Sequence, residues 1–157
     1  MENDRKEAEA TLGEMVATWL SKELASSKHR AALRRATNLE DFKSCWTVAG
    51  MLVHLRAAYS QKFNESQLLP AVWAVGRTRK VSRGSFPAMC KRSGVKEQQL
   101  RKLTGTSNRT EAARQVRRLT SRIPDVPVAD IVNHIYYWGE HNRRDWAIKW
   151  FEGSSSD

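Results

Sequence analysis

The sequence predicts an all-α protein built as two small helical bundles joined by a basic linker, with about eight to nine helices in all. Three observations lead there. Apolar residues recur at spacings of three and four along most of the chain, and no stretch alternates convincingly with the period of two that a half-buried strand needs. Glycines and prolines fall between the periodic stretches, where helices stop or start. A length of 157 residues is ample for a core, and 40% hydrophobic content with six tryptophans excludes a disordered chain.

The elements follow in order. Leu12, Met15, Val16, Trp19, Leu20 and Leu24 form one apolar stripe, which predicts a helix between residues near 5 and 25. A short basic segment, 28–36, comes next. Asn38 stands three residues before Asp41 as a cap, opening a long helix through Phe42, Trp46, Ala49, Val53 and Leu55 that ends near Tyr59. Residues 60–67 are polar and read as a loop; 68–77 form another short helix, with Pro70 in its first turn.

Apolar periodicity then stops, and Arg77, Arg79, Lys80 and Arg83 sit among Gly, Ser and Thr as a mobile basic linker over 77–84. It divides an amino-terminal bundle, 1–76, from a carboxy-terminal one, 85–152. Within the second, helices are expected over 85–93, 95–103, 110–123, 128–138 and 140–151, punctuated by Gly94, Gly105, Pro124, Pro127 and Gly139. The tail 153–157 is expected to be disordered. There is no repeat at a fixed period.

The formal net charge is +10, from 27 Lys and Arg against 17 Asp and Glu, and its placement says more than its size. Residues 76–122 hold fourteen Lys and Arg against Glu97 and Glu111, an excess of twelve, while the rest of the chain nets −2. A field concentrated in one third of the chain attracts a polyanion far better than scattered charge does. On the helix from Thr110, Arg114, Arg117, Arg118 and Arg122 recur at helical spacing as one ridge. Ala112, Val116, Leu119 and Ile123 take the opposite side, so packing them inward is expected to aim all four arginines outward. The planar guanidinium fork suits phosphate oxygens or an unpaired base. Lys28, Arg30, Arg34 and Arg35 form a second basic cluster that extends the track if the two halves fold side by side.

Other functions lack support. No run of about 18 apolar residues and no secretory leader is present, so the protein is expected in the cytoplasm, away from any membrane. Cys45 and Cys90 have no CxxC partner and read as free buried thiols. His29, His54, His134 and His141 are scattered without ligand spacing, and no phosphate-binding loop, nucleophile elbow or acid pair marks a catalytic centre. No enzymatic activity, metal, cofactor or small-molecule substrate is therefore expected. His134 reads as a satisfied core or interface histidine. The aromatics Tyr136, Tyr137, Trp138, Trp146, Trp150 and Phe151 flank a turn at Gly139; they could stack bases, but their spacing fits two antiparallel helices sharing a core better.

A different binding mode is suggested by 89–100, where a small residue, the turn glycine Gly94 and Leu100 follow the order of a helix-turn-helix. Lys96, Gln98, Gln99 and Lys102 would then face base edges in a major groove. This alternative makes the protein a sequence-specific DNA-binding regulator.

The order of features from Ser82 onward resembles the CasB family, the small subunit of the type I-E CRISPR surveillance complex Cascade. The residues that carry the likeness are RQVRRL (114–119), the proline-containing break, IYYWGEHNRR (135–144) closing on WAIKWF, and, earlier, AALRRAT (31–37) after the Trp19 helix. The resemblance implies a two-part helical subunit, present as a pair, that stabilises the R-loop beside the guide RNA (crRNA). Its basic surface would hold the displaced non-target DNA strand and support the pairing of crRNA with the target strand, among the other Cascade subunits. Carried over by residue, Arg34 and Arg35 match a basic pair in the family's early helix, Arg117 and Arg118 its RRL pair, and Arg143 a basic position after the Trp-Gly turn; Arg101 and Arg109 match more loosely. Tyr137 stands where the family often has tryptophan, and Glu140 and His141 stand where basic residues are common.

Overall fold

The computed structural model describes residues 10–59 and 61–155. Its elements are α1 (Leu12–Glu23), α2 (Ser27–Arg35), α3 (Leu39–Lys43), α4 (Trp46–Ala58), α5 (Glu65–Ala74), β1 (Lys80–Ser82), α6 (Phe86–Arg92), α7 (Glu97–Gly105), α8 (Arg109–Thr120), β2 (Asp125–Pro127), α9 (Val128–Tyr136) and α10 (Glu140–Ser155). The fold is all-α, with two three-residue strands as its one sheet among the described residues. The helix expected to begin near residue 5 is described from Leu12, since 1–9 lie outside the described residues.

Short polar side chains start most helices by accepting the backbone N–H groups that the first turn leaves unpaired. Thr11 and Glu14 close a reciprocal capping box on α1. Asn38 accepts from the Asp41 N–H at 2.8 Å, as its spacing predicts. Ser26, Asn64, Ser85 and Asn108 do the same for α2, α5, α6 and α8.

The long helix expected after Asn38 is broken in two at Ser44 and Cys45. Phe42, Trp46, Ala49 and Val53 would share one face of a straight helix, but the core takes Phe42 from α3 and Val48, Met51 and Leu55 from α4. The break turns α4 about its axis, which leaves Trp46 and Val53 exposed. Pro70 lies in the sixth position of α5, not in the first turn of a later helix, because Asn64 starts that helix at Glu65.

The core does not respect the boundary expected at 77–84. One continuous apolar cluster runs from Leu12 and Trp19 through Trp73 to Trp146 and Trp150. Helix α9 packs on both α1 and α5, and α5 also packs on α8. Helix α5 is buried along all of Leu68–Ala74, so it needs cover on every side, and neither half alone supplies that. Residues 80–82 of the expected linker form β1, which pairs in parallel with β2 in the register Lys80 to Asp125, Val81 to Val126 and Ser82 to Pro127. The tail expected to be disordered from 153 continues α10 as far as Ser155, while 156–157 lie outside the described residues. No helix among the described residues is long and apolar enough to cross a membrane.

Candidate nucleic-acid interface

Helix α8 buries Ala112, Ala113, Val116, Leu119 and Thr120 and leaves Arg114, Arg118 and, just past its end, Arg122 exposed. These three stand at i, i+4 and i+8, a row with steps of about 6 Å along the helix axis at ~1.5 Å rise per residue. Arg114 is paired with Glu111. Arg118 and Arg122 have no carboxylate partner among the described residues; Arg122 Nη1 donates to Gln99 Oε1 at 3.4 Å. Beside the row, α7 and α8 leave a shallow cleft lined by Gln99, Lys102, Gln115, Arg118 and Leu119.

Arg117 departs from the expected ridge. It is 2% exposed, and its guanidinium is spent on backbone carbonyls: Nη1 donates to Trp73 at 2.7 Å, and Nη2 to Leu33, Arg34 and Ala36 at 3.1, 3.0 and 2.9 Å. These are the last carbonyls of α5 and α2, which carry the negative ends of the helix dipoles. The cation also lies 5.5 Å from the centre of the Trp73 ring. Burial, with Arg77 adding to it, lowers the pKa of Arg117 to about 10, so the group stays charged at neutral pH. Gly76 is the clearance for this arrangement, because a Cβ there would fall 2.6 Å from Arg117 Nη1 and 2.9 Å from the Leu33 oxygen. The outward ridge therefore has three arginines, and the fourth turns inward because the carbonyls of two helix ends converge within its reach.

The same bonds bring the end of α2 against α8. Arg34 and Arg35, both exposed, thus lie on the element next to the α8 row. Two further expected residues resemble Arg117 in using backbone carbonyls. Arg109 Nε donates to the Ile135 carbonyl at 3.0 Å near the end of α9, and Arg143 donates to Thr104 at 2.8 Å and Gly105 at 3.2 Å at the end of α7. Arg101 is exposed but paired with Glu97 at 2.6 Å, beside the α10 residues Ala147 and Trp150 rather than the α8 cleft. Gln115 was missed in the sequence, since it sits on the inner side of the ridge and is buried. Lys102 and Gln99 carried a signal only as part of the helix-turn-helix reading.

That reading finds its turn: α6 ends before Ser93, Gly94 takes φ +88°, and α7 begins at Glu97. Yet Gln99 is turned to cap its own helix, accepting from the Lys96 N–H at 3.0 Å.

His134 is held between two carboxylates. Nδ1 is 2.9 Å from the Asp130 carbonyl and 3.1 Å from its Oδ1, and Nε2 is 2.7 Å from Asp145 Oδ2. Its ring stacks on Trp146 with centroids 4.9 Å apart. Burial works against its charge, but the bonds and charges of Asp130 and Asp145 outweigh that and lift its pKa to about 8. Asp130 also accepts from the Phe86 N–H and the Trp146 indole, tying α6, α9 and α10 together. Tyr136, Trp138, Trp146 and Trp150 are core residues, as their spacing predicts, whereas Tyr137 and Phe151 are exposed. Cys90 is buried, which pushes its thiol pKa far up. Cys45, expected buried, is only half-buried at the break between α3 and α4. Among the described residues no group of three His, Cys, Asp or Glu could hold a metal ion.

Comparison with known proteins gives one match: residues 29–152 fit the family model described as CRISPR-associated protein Cse2. No curated protein and no solved structure matches the chain.

Proposed function

The chain belongs to the CRISPR-associated Cse2 family, the CasB small subunit of type I-E Cascade, and we propose that it serves this antiviral complex as a non-catalytic subunit holding nucleic acid by its phosphates. It stabilises the R-loop by retaining the displaced non-target strand and supporting the pairing of crRNA with the target strand. The observation that carries this reading is the exposed row Arg114, Arg118 and Arg122, with Arg34 and Arg35 exposed at the end of α2 that Arg117 ties to α8, within a chain whose charge excess is concentrated at 76–122. Arg101 and the partly free guanidinium ends of Arg109 and Arg143 form a secondary fringe. Arg117 acts indirectly, by seating the end of α2 against α8.

Exchanging a DNA duplex for an RNA and DNA hybrid is nearly balanced in free energy, so a few phosphate contacts suffice to bias it. Steps of about 6 Å between the row's arginines suit successive phosphates of one strand lying along the helix. Binding by the isolated subunit is weak and indifferent to sequence, and it strengthens when the assembled complex supplies avidity. The test is titration of single-stranded oligonucleotides at several salt concentrations. Five arginine contacts predict a slope of log affinity against log salt of roughly −3.5, at about −0.7 per contact. A slope near zero, or a footprint on one palindromic duplex, overturns this reading, and the footprint favours the regulator that the turn at Gly94 suggests. Purification from native cells supplies the second check: short repeat-spacer RNAs, companion subunits and a second copy of the chain are expected to come with it.

A further inference from the structure

Helices α7 and α8 each contribute one amide side chain to the cleft between them, which has a volume of ≈ 120 Å³. From α8 comes Gln115, only 8% exposed. Its Nε2 donates weakly to Glu111 at 3.4 Å, and its Oε1 accepts no hydrogen bond among the described residues. From α7 comes Gln99, whose Oε1 accepts from the Lys96 N–H at 3.0 Å and from Arg122 at 3.4 Å, which leaves its NH2 group free. A buried acceptor and a free donor thus stand on the two sides of the cleft. Leu119, 5% exposed, adds an apolar surface between the polar groups. Lys102 and Arg118 complete the lining; both are exposed and neither has a carboxylate partner among the described residues.

The chemistry of these groups selects the ligand. Cations alone suit a phosphate, whose oxygens only accept hydrogen bonds. The unpartnered Oε1 of Gln115 does nothing for such an anion and calls for a ligand that also donates. A nucleobase does so: adenine, cytosine and guanine carry an exocyclic amine, and thymine and uracil an imino N–H, each beside an acceptor on the same edge. Position selects the source, because Arg118 both lines the cleft and stands in the middle of the α8 row. A strand with a phosphate on Arg118 has a base within reach of the cleft. We infer that the cleft takes one unpaired base of the bound strand, an inference that rests on the proposed strand-holding role. Gln115 engages the base, and Arg118 joins the base site to the phosphate row. Every base offers the donor that Gln115 lacks, so the cleft tolerates any sequence. In a duplex or hybrid that edge is already paired, so the cleft favours a displaced single strand.

The experiment titrates the full chain, as wild type and as Gln115→Leu, with a dye-labelled single strand of mixed sequence and with an abasic strand of the same length, at several salt concentrations. The wild type binds the base-bearing strand about fivefold more tightly than the abasic one, the scale of one net hydrogen bond. Gln115→Leu loses about fivefold on the base-bearing strand and nothing on the abasic strand, a non-additivity that marks direct contact. Its salt slope stays that of the wild type, since no charge changes. Gln99→Leu repeats the pattern from the α7 side and decides the matter if Gln115→Leu fails to fold. Equal wild-type affinity for the two strands, with slopes still roughly −3.5, overturns the inference and leaves the phosphate reading standing. Slopes near zero overturn that reading and the inference with it. An equal loss on both strands makes Gln115 a structural residue and overturns the inference. A Gln115→Leu chain that binds strands like the wild type but is lost from the co-purified complex assigns the cleft to a companion protein and overturns it too.

Discussion

His134 and Arg117 were both single letters in helical runs, and each is a cation held by groups the fold brings to it: Arg117 by carbonyls 44 to 84 residues away, His134 by Asp130 on its own helix and Asp145 on the next. For His134 the folded protein binds the proton more tightly than the ordinary imidazole pKa of 6.5 allows, with a pKa of about 8. Its contribution to stability is therefore complete below about pH 6.5 and is lost as pH rises through 8, on the order of 2 kcal/mol at ~1.4 kcal/mol per unit. Urea denaturation from pH 6 to 9 is expected to show that loss, and His134→Gln is expected to flatten it; stability that rises across this window contradicts the assignment. Arg117→Ala removes a donor from four carbonyls at two helix ends, of which the Trp73 carbonyl keeps the Gly76 N–H and the Ala36 carbonyl keeps the Trp73 indole N–H. About 3–5 kcal/mol of destabilisation is expected, with lysine rescuing poorly because one ammonium cannot span two helix ends. The surviving folded fraction should keep the wild-type salt slope for strand binding, since Arg117 reaches no phosphate. Periodicity placed Arg117 on the ridge, and the error is physical: position 117 borders the apolar face, and a long side chain there turns to whichever unpaired groups lie within reach.

Helix α8 was largely readable in its apolar stripe and its row of charge, because face and charge repeat with the same period, while its Asn108 cap came with the structure. The arginine row gives it a test of its own. Arg118→Ala with Arg122→Ala should reduce the salt slope by about 1.4, at ~0.7 per lost contact. The effect on stability should stay within ~0.5 kcal/mol, as both side chains are exposed. Helix α4 was misread for the opposite reason. Apolar residues on both faces leave no unique stripe, so the sequence permitted Trp46 and Val53 to point inward, and the break at Ser44 reversed that. Helix α5 shows the same ambiguity in milder form, since a helix buried all round has no polar face from which to read its orientation.

The continuous core predicts that the chain unfolds as one cooperative unit across residues 77–84. A single denaturation transition is expected, coincident by tryptophan fluorescence and circular dichroism, and cleavage within 77–84 should not yield two stable halves. Two separate transitions would restore the two-bundle division. Composition, helical period and turn residues were enough to establish the all-α class, the approximate helix boundaries after residue 85, the concentration of positive charge in one third of the chain and the outward row on α8. These properties are local, set by neighbours within a turn or two of helix. The sharing of one core by both halves, the burial of Arg117, the use of Arg109 and Arg143 on helix ends, the carboxylate clasp on His134 and the second apolar face of α4 all came with assembly. Each depends on which carbonyls, carboxylates or apolar faces of separate elements meet in the fold. Periodicity tells which side of a helix is apolar, but not what stands opposite it.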